Sequence, residues 1–118
     1  MYKIPEDFDI SKLSDKTITS ISYGINFISL FFEDGFIQIL NSFVINANNN
    51  SNRYENLYPI KNDFGLLVLL EKQIIDIKTS KDREILHLFF DGNIDLLIHS
   101  DKMYESFEIN YQDEQIIV

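Results

Sequence analysis

Leu88-Phe89-Phe90-Asp91-Gly92-Asn93-Ile94-Asp95-Leu96 reads as two strands about a turn. Asp-Gly between apolar runs is a strong hairpin signal, because Gly accepts the positive φ that tight turns need. Placing Phe90 opposite Ile94 and Leu88 opposite Leu96 gathers the large apolar side chains on one face, and it requires a three-residue loop, Asp91-Gly92-Asn93. A one-residue slip would turn that set toward water, so the longer loop is expected. The other face then carries Ile85, His87, Phe89, Asp95, Leu97 and His99, a mixed set suited to a sheet covered on one side only.

The same pattern occurs earlier in the chain. Leu30-Phe31-Phe32 matches Leu88-Phe89-Phe90, Asp34-Gly35 matches Asp91-Gly92, and Ile37 and Ile39 match Ile94 and Leu96. Upstream, Leu13-Ser14-Asp15-Lys16-Thr17-Ile18-Thr19-Ser20-Ile21 matches Leu69-Leu70-Glu71-Lys72-Gln73-Ile74-Ile75-Asp76-Ile77 at a constant offset of 56. Downstream, Ser42-Phe43-Val44-Ile45-Asn46 resembles Ser106-Phe107-Glu108-Ile109-Asn110. Five colinear blocks point to an internal duplication, about 10–46 and 66–110. In the first copy a two-residue Asp34-Gly35 turn would set Phe32 opposite Ile37 and Leu30 opposite Ile39. Each copy reads as a short apolar turn or helix (near Ile10–Leu13 and Phe64–Leu70), a strand near Ile18 or Ile74, a hairpin and a closing strand. Residues 46–62 connect the copies through an Asn-rich stretch expected to be a mobile loop.

These readings give a mainly β protein (α+β at most). Two tandem four-strand units form one antiparallel sheet, a sandwich or a partly open barrel, with one or two short helices, in a single domain over 1–118. Composition agrees: 19 Ile against Ala47 alone favours pleated structure, and 45% hydrophobic residues suffice for a core.

Net charge is −9, with 10 basic and 19 acidic residues, which argues against direct nucleic-acid binding. Zero cysteines exclude disulfides, thiolate catalysis and Cys-based zinc sites. Met1–Asp9 has no apolar signal core and Phe64–Leu70 is far short of the ~20 residues of a spanning helix, so the expected location is the cytoplasm, with no membrane contact. The acidity is uneven. Residues 84–118 hold eight acidic side chains against Lys102 alone, a net −7, leaving −2 for the first 83 with nine basic and eleven acidic. Concentrated charge either solubilises a face or steers a partner of opposite sign.

Leu88–Leu96 followed by Tyr104-Glu105-Ser106-Phe107-Glu108-Ile109 resembles a pattern in small bacterial β-rich immunity proteins of polymorphic-toxin and contact-dependent inhibition systems. The second copy carries the resemblance, and the first carries it through Phe32-Glu33-Asp34-Gly35. It implies a stoichiometric inhibitor of a toxin domain encoded by a neighbouring gene, often a nuclease. A nuclease is basic where it holds phosphates, so an acidic blocker has the right sign. The residues expected to meet that partner are Asp91, Asp95, Asp101, Tyr104, Glu105, Glu108 and His99. The alternative is a structural, self-associating β domain that forms a homodimer through exposed strand edges.

No catalytic residue, cofactor or metal site is expected. His87 and His99 fall diagonally across one hairpin face within roughly 7–8 Å, beside Asp95, a spacing that an acid–base or metal site could use. Ser29 occupies the His87 position in the first copy, which favours a semi-exposed strand position instead. Nothing matches a phosphate loop, a nucleophile elbow or an HExxH helix. Tyr54, Leu57 and Tyr58 beside the Asn-rich stretch are either interface anchors or pins holding the connection to the sheet.

Overall fold

Period-two alternation of Ile, Leu and Phe with polar residues sets the architecture of the computed structural model, which describes residues 10–82, 84–100, 107–111 and 114–117. In chain order the strands are β1 (Ser20–Gly24), β2 (Phe27–Phe32), β3 (Gly35–Ile39), β4 (Phe43–Ala47), β5 (Asn50–Tyr54), β6 (Ile74–Thr79), β7 (Ile85–Phe90), β8 (Ile94–His99), β9 (Phe107–Tyr111) and β10 (Glu114–Ile117). Short 3-10 turns at Ile10–Leu13 and Leu66–Leu69 precede the two halves. All neighbouring strands are antiparallel, in two sheets ordered β1-β2-β3-β9-β10 and β5-β4-β8-β7-β6. The protein is mainly β, and of the expected arrangements it is the two-sheet one. No helix among the described residues is long and apolar enough to cross a membrane.

The inward side chains of both sheets form one cluster. Ile28, Leu30, Phe32, Ile37, Ile39 and Ile109 of the first sheet meet Phe43, Ile45, Leu86, Leu88, Phe90, Leu96 and Ile98 of the second, each at most 4% exposed. Full burial of one such side chain contributes roughly 1.5–3 kcal/mol. This shared core makes the fold a sandwich.

The halves exchange their ends. β1-β2-β3 from the first half are completed by β9-β10 from the second, and β6-β7-β8 by β4-β5. The two sheets therefore have corresponding strand orders related by a pseudo-two-fold. Thr17 and Gln73, matched at offset 56, pair with each other across that axis. Their hydrogen bonds come in matched sets: Asp15 N donates to Ile74 O and Glu71 N to Ile18 O, both 2.8 Å, while Ile74 N donates to Lys16 O at 2.8 Å and Ile18 N to Lys72 O at 3.0 Å. Asp15 and Glu71 share a φ of 68°.

Three expectations need correction. The Asn-rich stretch is no loose loop: Asn46 and Ala47 end β4, Asn50–Tyr54 form β5, and Ala47 pairs with Asn50 about a two-residue turn. That turn puts Asn48 at φ 54° and Asn49 at 64°, the left-handed pair of a type I′ hairpin, which Asn tolerates well. Among the described residues each half consequently has five strands rather than four, since β10 extends the second half as β5 extends the first. Finally, the first hairpin turns at Glu33-Asp34, with Phe32 opposite Gly35 and Leu30 opposite Ile37. Partners move by two residues from the expected register, so the apolar face is preserved, and Ile37 corresponds to Leu96 rather than Ile94.

The cause of that shift is space. A Cβ on Gly35 would lie 2.0 Å from the Asn110 carbonyl oxygen, so Gly35 is a strand residue abutting β9, not a turn residue. Asp34, left in the turn, accepts from Lys16 Nζ at 2.9 Å. In the second half the expected pairs, Phe90 with Ile94 and Leu88 with Leu96, are observed, and Gly92 (φ 84°) and Asn93 (φ 59°) supply the left-handed residues of the Asp91–Asn93 loop.

Candidate functional site

The outer face of the second sheet carries polar and charged side chains in two cross-strand rows. Running from β6 to β5, one row is Asp76, Phe89, Asp95, Asn46, Ser51, and the next is Lys78, His87, Leu97, Val44, Arg53. Ile85 and His99 pair beyond the second row. Eight of these side chains, Val44, Asn46, Ile85, His87, Phe89, Asp95, Leu97 and His99, are half-buried.

Asp95 is the centre of a small network. Its Oδ2 accepts from Asn46 Nδ2 at 2.9 Å and lies 2.7 Å from His87 Nε2. A carboxylate only accepts, so that imidazole nitrogen carries the hydrogen. The His87 ring lies against Phe89 (centroids 4.0 Å apart), and Lys78 Nζ sits 5.3 Å from the Phe89 centroid on its other neighbour strand. The diagonal His87–Asp95 contact follows directly from the register. His99 is separate: its Nε2 is buried without a hydrogen-bond partner among the described residues, and burial first, then Arg53, hold its pKa below the usual histidine value. Among the described residues no three His, Asp or Glu side chains assemble as a metal-binding group.

Beside Asp95 the β4–β5 hairpin and the β7–β8 loop enclose a cleft of about 300 Å³, lined by Asn46, Ala47, Asn49, Asn50, Ser51, Asn93 and Asp95. A second cleft, about 310 Å³, lies between the end of β5 and the following segment, where Arg53, Tyr54, Glu55, Asn56, Tyr58, Pro59 and Lys61 meet. Tyr54 packs tilted against Phe43 and edge-to-face against Phe64, and Leu57 is buried, so both pin the connection to the core. Tyr58 is 59% exposed and pins nothing.

The expected partner-binding residues distribute unevenly. Asp91 is exposed in the β7–β8 loop, where its Oδ1 accepts from Gln73 N at 2.8 Å. Asp95 and His99 share the outer face of the second sheet. Glu108 belongs to β9 and stands opposite Gln38 in the other sheet, because the last hairpin crosses over. Asp101, Tyr104 and Glu105 lie outside the described residues. Asn46, Asn50 and Ser51 were not among the expected site residues; the run Asn48-Asn49-Asn50 was the available signal, and it reads equally as a loop.

No family model, curated protein or solved structure matches the chain.

Proposed function

We propose that this protein is a binding protein without catalytic activity, an immunity protein that neutralises a basic toxin domain, a nuclease above all, encoded by a neighbouring gene. The observation that carries the reading is the outer face of the second sheet. There a hydrogen-bonded carboxylate, Asp95, stands one cross-strand row from the half-buried pair Val44 and Leu97, with half-buried Ile85 further along the same face, in a chain of net charge −9. An apolar patch with a polar, oriented rim is the anatomy of a protein interface. The acidity would speed encounter with a basic partner, while the half-buried apolar side chains would slow release.

A specific feature favours one other reading. β5 is a sheet edge whose first four residues are all exposed, so its free backbone could pair with a second copy. The two readings separate by co-expression with the neighbouring toxin domain. Immunity requires protection from growth arrest and a one-to-one complex, lost when Val44 and Leu97 are both replaced by Asp. Protection that survives this double replacement removes the face from the interface. No complex, together with a mass near twice 13.9 kDa, supports self-association.

A further inference from the structure

We propose that the cleft beside Asp95 is a receptor for a guanidinium group, through which an arginine of the partner anchors. The proposal rests on the binding-protein reading above and names the chemistry of its contact.

Asp95 is held from one side. Both recorded contacts, Asn46 Nδ2 and His87 Nε2, fall on Oδ2, which fixes the carboxylate plane and leaves Oδ1 without a partner among the described residues, in a residue that lines the cleft. The remaining lining is neutral and rich in acceptors: the amides of Asn46, Asn49, Asn50 and Asn93 and the Ser51 hydroxyl. Among the described residues no Lys or Arg lines this cleft, whereas Arg53 and Lys61 line the other one. One oriented carboxylate oxygen among neutral acceptors suits a planar ion with five N–H donors and weak hydration. At about 300 Å³ the cleft is at the small end of ligand-holding sites, matched to a side chain rather than a cofactor.

The molecule's own pseudo-symmetry separates this carboxylate from the needs of the fold. Phe89 pairs with Asp95 in the second sheet, and in the first sheet the corresponding pair is Phe31 with Phe36, rings 5.6 Å apart. The sandwich accepts a phenyl group at that position. The charge at Asp95 is therefore not a packing requirement, and with His87 and Asn46 both on Oδ2 the second oxygen remains for a cation that a ligand supplies.

The test is titration of the full-length, isotope-labelled protein with N-acetyl-arginine methylamide, followed by the side-chain amide signals of Asn46, Asn50 and Asn93. Saturable shifts confined to these residues and Asp95 are expected. The citrulline analogue, equal in shape but uncharged, should give none, and the lysine analogue should bind more weakly. Asp95→Asn should weaken arginine binding about tenfold or more, and Asn50→Lys, on the exposed rim, should abolish it with the fold intact. Absence of shifts, equal binding of citrulline or of lysine, or unchanged affinity in Asp95→Asn would each overturn the proposal. Toxin protection by a protein that ignores arginine sinks this inference alone; arginine binding without protection sinks the immunity reading alone.

Discussion

Gly35 and Gly92 occupy the same Asp-Gly dipeptide for different physical reasons, and alanine at each should separate them. At Gly35 the added Cβ would lie 2.0 Å from the Asn110 oxygen, 2.9 Å from its carbonyl carbon and 2.9 Å from Phe32 Cε2. Ordinary C···O contact is about 3.3 Å or more, so β9 must retreat by roughly 1.3 Å. N–H···O bonds near 2.9 Å do not survive such a displacement. Losing two or three bonds of the β3–β9 ladder costs about 1–4 kcal/mol, and partial withdrawal of Ile109, fully buried on β9, adds about 1 kcal/mol or more. The expected loss is about 2–5 kcal/mol, large for one methyl group.

At Gly92 the Cβ would meet nothing nearer than Ile94 Cδ1 at 3.9 Å, and the cost is the left-handed backbone at φ 84°. That is about 1–2 kcal/mol, partly offset by the stiffer unfolded chain. Urea unfolding followed by far-UV circular dichroism measures both, and amide exchange over 107–111 reports whether β9 has loosened. Gly35→Ala within about 1 kcal/mol of wild type, or no worse than Gly92→Ala, would refute the close-approach argument.

Two further outcomes follow from local geometry. Asn49→Ala, which puts a residue averse to left-handed φ into the β4–β5 turn, should lower stability by about 1 kcal/mol and weaken arginine binding, because the hairpin walls the cleft; unchanged urea midpoints would contradict the type I′ assignment. His99 has a folded pKa below its unfolded value, so the unfolded state binds the proton first: its contribution is intact above the ordinary histidine pKa and declines as pH falls through that value. His99→Gln should therefore flatten the stability profile between about pH 7.5 and 5, and a profile identical to wild type would show that His99 is not the group that titrates.

Much of the fold was legible because period-two alternation survives small errors. In the first hairpin the turn sits one residue earlier than the Asp-Gly signal suggests, yet Leu30 still faces inward, since partners shift by two and two is the period of a strand. What the alternation lacks is any record of which strand lies beside which. Phe43–Ala47 reads as a closing strand of its own half, yet besides β5 it pairs with β8, some fifty residues on. The Asn-rich hairpin was hidden for another reason: its side chains are polar on both faces, so no apolar stripe marks it, and only the left-handed tolerance of Asn48 and Asn49 identifies it. At the site, the same register that placed the Phe90 and Ile94 pair put His87 diagonal to Asp95, whereas Asn46 reached them through tertiary pairing alone.

The exchange of ends also changes what the charge asymmetry means. Read along the chain, the acidic excess belongs to the second half, and a binding surface would be sought there alone. Folded, the second half's last hairpin lies in the first sheet, and Asp95 instead acquires β4 and β5 as neighbours. The wall of the cleft is thus mostly polar and neutral, and most of it comes from the first half, while its charge comes from the second. Neither half contains the site. A carboxylate on β8 with its own half's strands alone would stand open to water, where an ion pair is worth little. Set between Asn46, Asn50 and Ser51, it sits in a partly enclosed, acceptor-lined recess, where a matching cation is held by several bonds at once. The pairing of β4 with β8 that joins the two halves of the sandwich is therefore also what turns one exposed charge into a recognition element.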